Sequence, residues 1–356
     1  MDKFIKAVEM YGRMLFLGLL MLAICGSPLL ADTLKLKEDH PDRYVVVKGD
    51  TLWDISSRFL EDPWLWPEIW QLNPDIENPH LIYPGDVISL VYVDGKPRLR
   101  IDRRGRPIVK LSPQARFSAL ESAIPTIPAD AIKQFLLYPR IISEEELEQT
   151  GYVVAHDEGK LISGTGDRIY ARNLNTENGT QYRIIRRGDA YRNPDARKKD
   201  ILGFEALQIA TARLVRDGDP STIIITHATR EILIGDRIIP VEKEEELDHF
   251  FLPHRPNQPI EGYVISVLDG VSRIGQYHTV VLNKGKNDGL EAGHVLVIHQ
   301  TGHMIRDTVA GRGAKVQLPK ERAGIVLVVR TFDKVSYGLI MEAFRDMRVY
   351  DTFTQP

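Results

Sequence analysis

His299, His303 and Asp307 are the residues whose types and spacing come closest to a metal-dependent reaction. His303-Met-Ile-Arg-Asp307 has the spacing of one half of a His-xxx-Asp zinc site, with His299 nearby. A zinc peptidase needs a further His-x-His pair or a His-Glu-x-x-His helix to complete its ligands. The sequence has neither, so these histidines are predicted to be exposed loop residues, and no metal or cofactor is expected. Cys25 is the only cysteine, and it lies in an apolar N-terminal run. The rest of the chain can therefore form no disulfide and offers no thiol nucleophile. The 49 acidic residues include no pair in a recognisable glycosidase setting. There is also no Gly-x-Ser-x-Gly turn and no phosphate-binding loop. No catalytic residue is assigned, and the chain is expected not to be an enzyme.

At 356 residues, with 43% hydrophobic and 27% charged residues, the chain has the make-up of two or three ordered domains. Its net charge of -3 gives no whole-chain reason to expect nucleic-acid binding. Lys3, Lys6 and Arg13 precede an apolar run from Met14 to Cys25, and Leu29-Leu30-Ala31 supplies a small residue before Asp32. A run of about a dozen residues suits a signal-peptide core and is short of a membrane span. Residues 1–31 are therefore predicted to be a signal peptide, with an uncleaved anchor as the alternative, and the location to be periplasmic or cell-envelope.

The first ordered element is predicted at Tyr44–Val47, a short β-branched strand ended by a Gly49-Asp50 turn. Asp50 or Thr51 is placed to cap the helix that follows, in which Leu52, Ile55 and Phe59 recur at helical spacing. Pro67 suits the first turn of a second helix, and Asn73-Pro74 ends it. Asn78-Pro79-His80-Leu81-Ile82-Tyr83-Pro84-Gly85-Asp86 then leads into a closing strand, Val87 to Leu90.

This order, with its Gly-Asp-Thr-Leu, Asn-Pro and Tyr-Pro-Gly-Asp signatures, resembles the LysM family. Asp62-Pro63-Trp64-Leu65-Trp66-Pro67-Glu68-Ile69-Trp70 is similar to its Trp-rich bacterial subgroup. The resemblance implies binding of N-acetylglucosamine-containing glycan, the backbone of peptidoglycan. It places the groove between Gly49, Asp50, Thr51 and Leu52 on one side and Pro79, His80, Leu81 and Ile82 on the other. Turn N–H and C=O groups would pair with acetamides, and Leu52 and Ile82 would touch the acetyl methyl. Gly49 and Gly85 are read equally as plain turn residues. Trp53 and Trp70 are expected in the core, while Trp64 and Trp66, in a predicted loop, could stack on a sugar or pack beneath it.

From Gly95 to Arg116, Lys96, Arg98, Arg100, Arg103, Arg104, Arg106, Lys110 and Arg116 stand against Asp102 alone. The stretch reads as a linker or a loosely ordered β-segment. Beyond Ile124-Pro-Thr-Ile-Pro128, a helix face is predicted at Ile132, Phe135 and Leu136, and a capping box at Ser143 and Glu146. Strands then dominate, and the turns Gly166-Asp167-Arg168-Ile169 and Gly235-Asp236-Arg237-Ile238 look alike. Gln300 to Lys320 reads as an exposed loop.

The expected fold is α+β and multi-domain: a βααβ module followed by β-rich, barrel- or sandwich-like domains. The divisions are residues 1–31 for the signal, 42–92 for the LysM domain, 93–128 for the basic linker, and 129–250 and 255–356 for two β-rich domains. The whole layout resembles the secretin-associated proteins of type IV pili. The C-terminal part is similar to a flagellar outer-ring protein through Leu282-Asn283-Lys284-Gly285, Asp288-Gly289-Leu290, Ala292-Gly293 and Val335-Ser336-Tyr337-Gly338-Leu339-Ile340. That resemblance implies an outer-membrane secretin as partner and an oligomeric ring; an exported chain is expected to have no nucleic-acid partner.

Overall fold

The N-terminal module is built on a three-stranded antiparallel sheet ordered β1-β2-β3 (Arg43–Val45, Val87–Val93, Lys96–Asp102). The computed structural model describes residues 34–70, 82–102, 124–128, 131, 140–176, 179–195, 200–241, 251–268, 273–302, 304–309 and 314–356. Helix α1 (Leu52–Phe59) buries Leu52, Ile55 and Phe59, as their spacing predicts. Thr51 rather than Asp50 caps it: Thr51 Oγ1 accepts the Asp54 N–H at 3.0 Å. A short 3-10 turn (Pro63–Leu65) and helix α2 (Trp66–Trp70) follow.

The basic stretch that reads as a linker from Gly95 begins as a strand. Asp94 and Gly95 both have positive φ and make the tight hairpin between β2 and β3. Arg98 of β3 donates to the Glu68 carbonyl at 3.1 Å, tying the sheet to α2. The predicted signal peptide, Asn73-Pro74, the helix face at Ile132, Phe135 and Leu136, and residues 103–123 of the basic stretch lie outside the described residues.

Two β domains follow, and their strands connect in the same order. In the first, β5 (Gly151–His156), β6 (Arg168–Arg172), β7 (Gln181–Arg192), β8 (Ile201–Arg216), β9 (Ser221–Ala228) and β10 (Arg237–Pro240) close a ring, since β9 pairs with both β6 and β8. Strand β4 (Arg140–Ile142) adds to β8, and helix α3 (Glu144–Gln149) between β4 and β5 carries the predicted Ser143–Glu146 capping box. The second ring contains β11 (Glu261–Val267), β12 (Thr279–Leu282), β13 (Val295–Gln300), β16 (Glu321–Thr331), β17 (Ser336–Ala343) and β18 (Thr352–Thr354). Each ring reads first, second, fifth, fourth, third, sixth strand and back to the first. The chain therefore carries one barrel topology twice. Val153, Ile169, Tyr182, Ile184 and Ile223 fill the first barrel, and Val264, Leu296, Val326, Ile340 and Phe353 the second.

Between β13 and β16, where a loop is predicted, Met304–Arg306 (β14) and Lys315–Gln317 (β15) form a small exposed hairpin. Among the described residues the α-helices are three and short, so the chain is β-rich rather than an even α+β mixture.

One turn recurs throughout. At seven places among the described residues a left-handed residue precedes a side-chain acceptor that takes the N–H three residues back, at 2.8–3.1 Å. Its pairs are Gly49-Asp50, Gly85-Asp86, Gly166-Asp167, Gly235-Asp236, Tyr277-His278, Gly293-His294 and Tyr350-Asp351. The positive φ suits glycine because a Cβ crowds the backbone there. In both barrels this turn launches the second and the sixth strand. The two turns that look alike in sequence therefore occupy matched places in the first barrel, and Tyr277-His278 and Tyr350-Asp351 fill the same places in the second.

Lys37–Pro356 forms one compact unit, in which the N-terminal module rests on the second barrel. Arg322 of β16 reaches Asp62 at 3.0 Å, and the Arg255 guanidinium lies 5.1 Å above the Trp64 ring. Trp64, packed under Arg255, and Trp66 are both buried with Trp53 and Trp70 instead of standing free to stack on a sugar.

Glu342 of β17 sits in the same contact. Burial pushes its carboxyl above the usual range, against the pull of Trp53, Lys37 and Arg322, and Asp62 adds to the rise. Between its unfolded and its raised folded value, the folded state holds a proton that the unfolded chain has lost. Stability from this group therefore grows as pH falls through that window and is least above it. Glu342→Gln is expected to raise the melting temperature near pH 8 and to change it less near pH 5, as read by thermal scans at both.

Candidate functional site

The residues predicted to line a glycan groove are mostly committed to structure. Gly49, at φ +101, forms the turn, and an added Cβ would meet nothing within 4 Å. Asp50 Oδ2 accepts the Val47 N–H and the Tyr44 hydroxyl, each at 2.9 Å. Burial of the Tyr44 hydroxyl and its bond to Asp50 raise the Tyr44 pKa above its ordinary value. Thr51 is buried at the helix cap, and its hydroxyl donates to Asp54 Oδ2 at 2.7 Å. Leu52 and Ile82 are both 0% exposed and belong to the core. Pro79, His80 and Leu81 lie outside the described residues.

The first turn of α1 leaves backbone donors that its own helix cannot satisfy. Asp54 N–H goes to the Thr51 side chain, and Ile55 N–H to the Thr51 carbonyl at 3.1 Å. Leu52 N–H and Trp53 N–H point out of the helix. They meet the carbonyls of Pro125 and Thr126 at 3.0 and 3.2 Å. At the start of the same segment, the Ile82 carbonyl accepts the Ile124 N–H at 2.8 Å. Leu52, Trp53 and Ile82 thus meet the same stretch of chain, Ile124–Thr126, through their backbone groups. Sequence reading treats Ile124–Pro128 only as the end of a linker. Its alternation of isoleucine and proline beside a basic run was the available signal that it packs.

A second cluster holds metal-ligand residue types. Ligand atoms of His254, Glu291 and His294 lie within 4.8 Å of one another. His294 Nδ1 takes the Glu291 N–H at 3.1 Å in one of the recurrent turns, and His254 Nδ1 donates to the Leu252 carbonyl at 2.9 Å. In a neutral imidazole whose Nδ1 accepts, Nε2 carries the proton and has no lone pair for a cation. Burial and the neighbouring His254 lower the His294 pKa, which favours that neutral form. The geometry is that of a turn locked by its imidazole.

Of the three residues nearest to a zinc pattern, His299 is not in a loop. It stands half-buried on β13, with Nε2 3.0 Å from Thr354 Oγ1. Its partner strand β18 contributes no signal strong enough to predict that pairing. His303 lies outside the described residues.

Residues 44–91 match the family model of the LysM domain. The chain is also 37% identical over 60 residues to the "Uncharacterized protein YqbP" of Bacillus subtilis (strain 168), a match covering 14% of this chain and 27% of that protein. The LysM match supports a peptidoglycan-binding role, and LysM domains typically occur in cell-envelope proteins. Among the described residues no helix is long and apolar enough to cross a membrane.

Proposed function

We propose that this chain is a non-catalytic envelope protein that ties an outer-membrane secretin, the conduit of a type IV pilus, to peptidoglycan. The LysM domain at 44–91 carries the wall-binding half of this reading. The Leu52 and Trp53 N–H donors and the Ile82 acceptor are the amide-pairing groups that N-acetylglucosamine requires. The second barrel supplies the partner-binding half, through the similarity of Leu282-Asn283-Lys284-Gly285 and its companion motifs to ring-forming proteins. Export through residues 1–31 and assembly as a ring belong to the same reading. A single LysM groove binds weakly, so a ring of copies would supply the retention.

Two measurements test it. The full chain should sediment with purified sacculi, and a chain lacking residues 44–91 should stay in the supernatant. Affinity capture from detergent-solubilised envelope should recover secretin multimers. The bait must be the full chain, because the LysM domain and the second barrel share a contact. Capture of a wall hydrolase would move the chain to the alternative role of peptidoglycan-binding recruiter. Failure to sediment would remove the wall-binding half.

A further inference from the structure

The occupant of the LysM groove is an observation that the proposed function does not use. Ile124 is 6% exposed, Thr126 1% and Ile127 0%, as buried as residues of the barrel cores. Three backbone hydrogen bonds hold the segment: Leu52 N–H to Pro125 O, Trp53 N–H to Thr126 O, and Ile124 N–H to Ile82 O. Proline follows both Ile124 and Ile127, which keeps the preceding residues extended and lowers the entropy lost on docking.

An acetamide and a peptide unit are the same functional group, a secondary amide with one N–H and one C=O. The segment presents amides to the donors and the acceptor that glycan acetamides would use. Its isoleucine side chains take up apolar space of the kind an acetyl methyl would occupy.

We infer that Ile124–Pro128 is an intramolecular ligand of the LysM groove, and that N-acetylated glycan binds only when this segment leaves. The inference rests on the reading that this groove is the glycan site. Both ligands need the Leu52 and Trp53 N–H groups, so their binding is mutually exclusive. A tethered competitor lowers apparent affinity in proportion to the fraction of groove left open. For a segment docked about nine-tenths of the time, freeing the groove improves glycan affinity about tenfold.

The test uses the full chain, an N-acetylglucosamine pentamer and purified sacculi. Hydrogen exchange at Ile124 is expected to speed up when the pentamer is added, while Leu52 and Trp53 stay protected. Ile127→Asp places a charge at a buried position and should release the segment, strengthening pentamer and sacculus binding about tenfold. Unchanged barrel melting would show that the variant is folded, and the exchange experiment on the unaltered chain needs no variant at all. Pentamer binding that leaves Ile124 protection unchanged would overturn the competition while glycan binding stands. If folded Ile127→Asp exchanges freely at Ile124 yet binds neither pentamer nor sacculi, the glycan reading fails, and the inference with it.

Discussion

Gly285→Ala is expected to cost the second barrel about 3 kcal/mol or more, at or beyond the upper end for overpacking a dense interior. The cause is a collision with backbone. An alanine Cβ at this position would lie 2.3 Å from Phe332 O, 2.6 Å from Asp333 O and 2.6 Å from Val335 N. None of these atoms can rotate away, because the same turn is pinned to the 285 loop. Lys286 N–H donates to Phe332 O at 2.8 Å, Asn287 N–H to Asp333 O at 3.0 Å, and Ser336 Oγ to Lys284 O at 2.7 Å. Gly285 itself has φ -138, which any residue adopts, so the requirement is space and not conformational freedom. Gly49→Ala supplies the contrast: open space but φ +101, and a cost of roughly 1–2 kcal/mol from backbone strain alone. Calorimetry should show Gly285→Ala lowering the transition by roughly 10 °C or more. An unchanged transition would mean that the two loops separate at little cost. Asn283-Lys284-Gly285 thus has a local structural reason whatever partner the barrel binds.

The N-terminal module was legible because its signals are local. Helical spacing at Leu52, Ile55 and Phe59, a capping threonine and Gly-Asp turns each act within a few residues. β-branched runs such as Thr279–Leu282 and Ala323–Arg330 also fall within strands, because such runs between turn residues suit a pleated surface. What escaped depends on distant parts of the chain. Trp64 is buried under Arg255, and the Leu52 and Trp53 N–H groups are met by residues far along the sequence. The barrel repeat is hidden because its second copy places Tyr277 and Tyr350, instead of glycine, at left-handed positions. The acceptor side chain, aspartate or histidine, is the part of the turn that both copies share.

That shared turn leads to the second large effect. Asp236→Ala is expected to destabilise the first barrel by about 2–3 kcal/mol, because the residue serves two roles from a buried place. Its Oδ2 accepts the Leu233 N–H at 2.8 Å and so closes the turn that launches β10. Both oxygens also pair with Arg186 of β7, Oδ1 with Nε and Oδ2 with Nη2, each at 2.8 Å. The Asp236 side chain is 3% exposed and that of Arg186 31%, so alanine would strand a partly solvated cation. Removing one partner of a fully buried pair costs roughly 3–5 kcal/mol, and solvent at Arg186 reduces that figure. Asp236→Asn separates the roles, since its amide oxygen still accepts from Leu233 but no longer offers a charged bidentate face. It should recover part of the loss if the turn matters and almost none if the ion pair dominates. Urea unfolding of both variants decides between them. At the matched turn of the second barrel, Asp351 accepts the backbone N–H groups of Arg348 and Thr301. The turn bond therefore operates in both barrels, whereas the Arg186 pair is an addition of the first, and Asp351→Asn should be milder than Asp236→Asn.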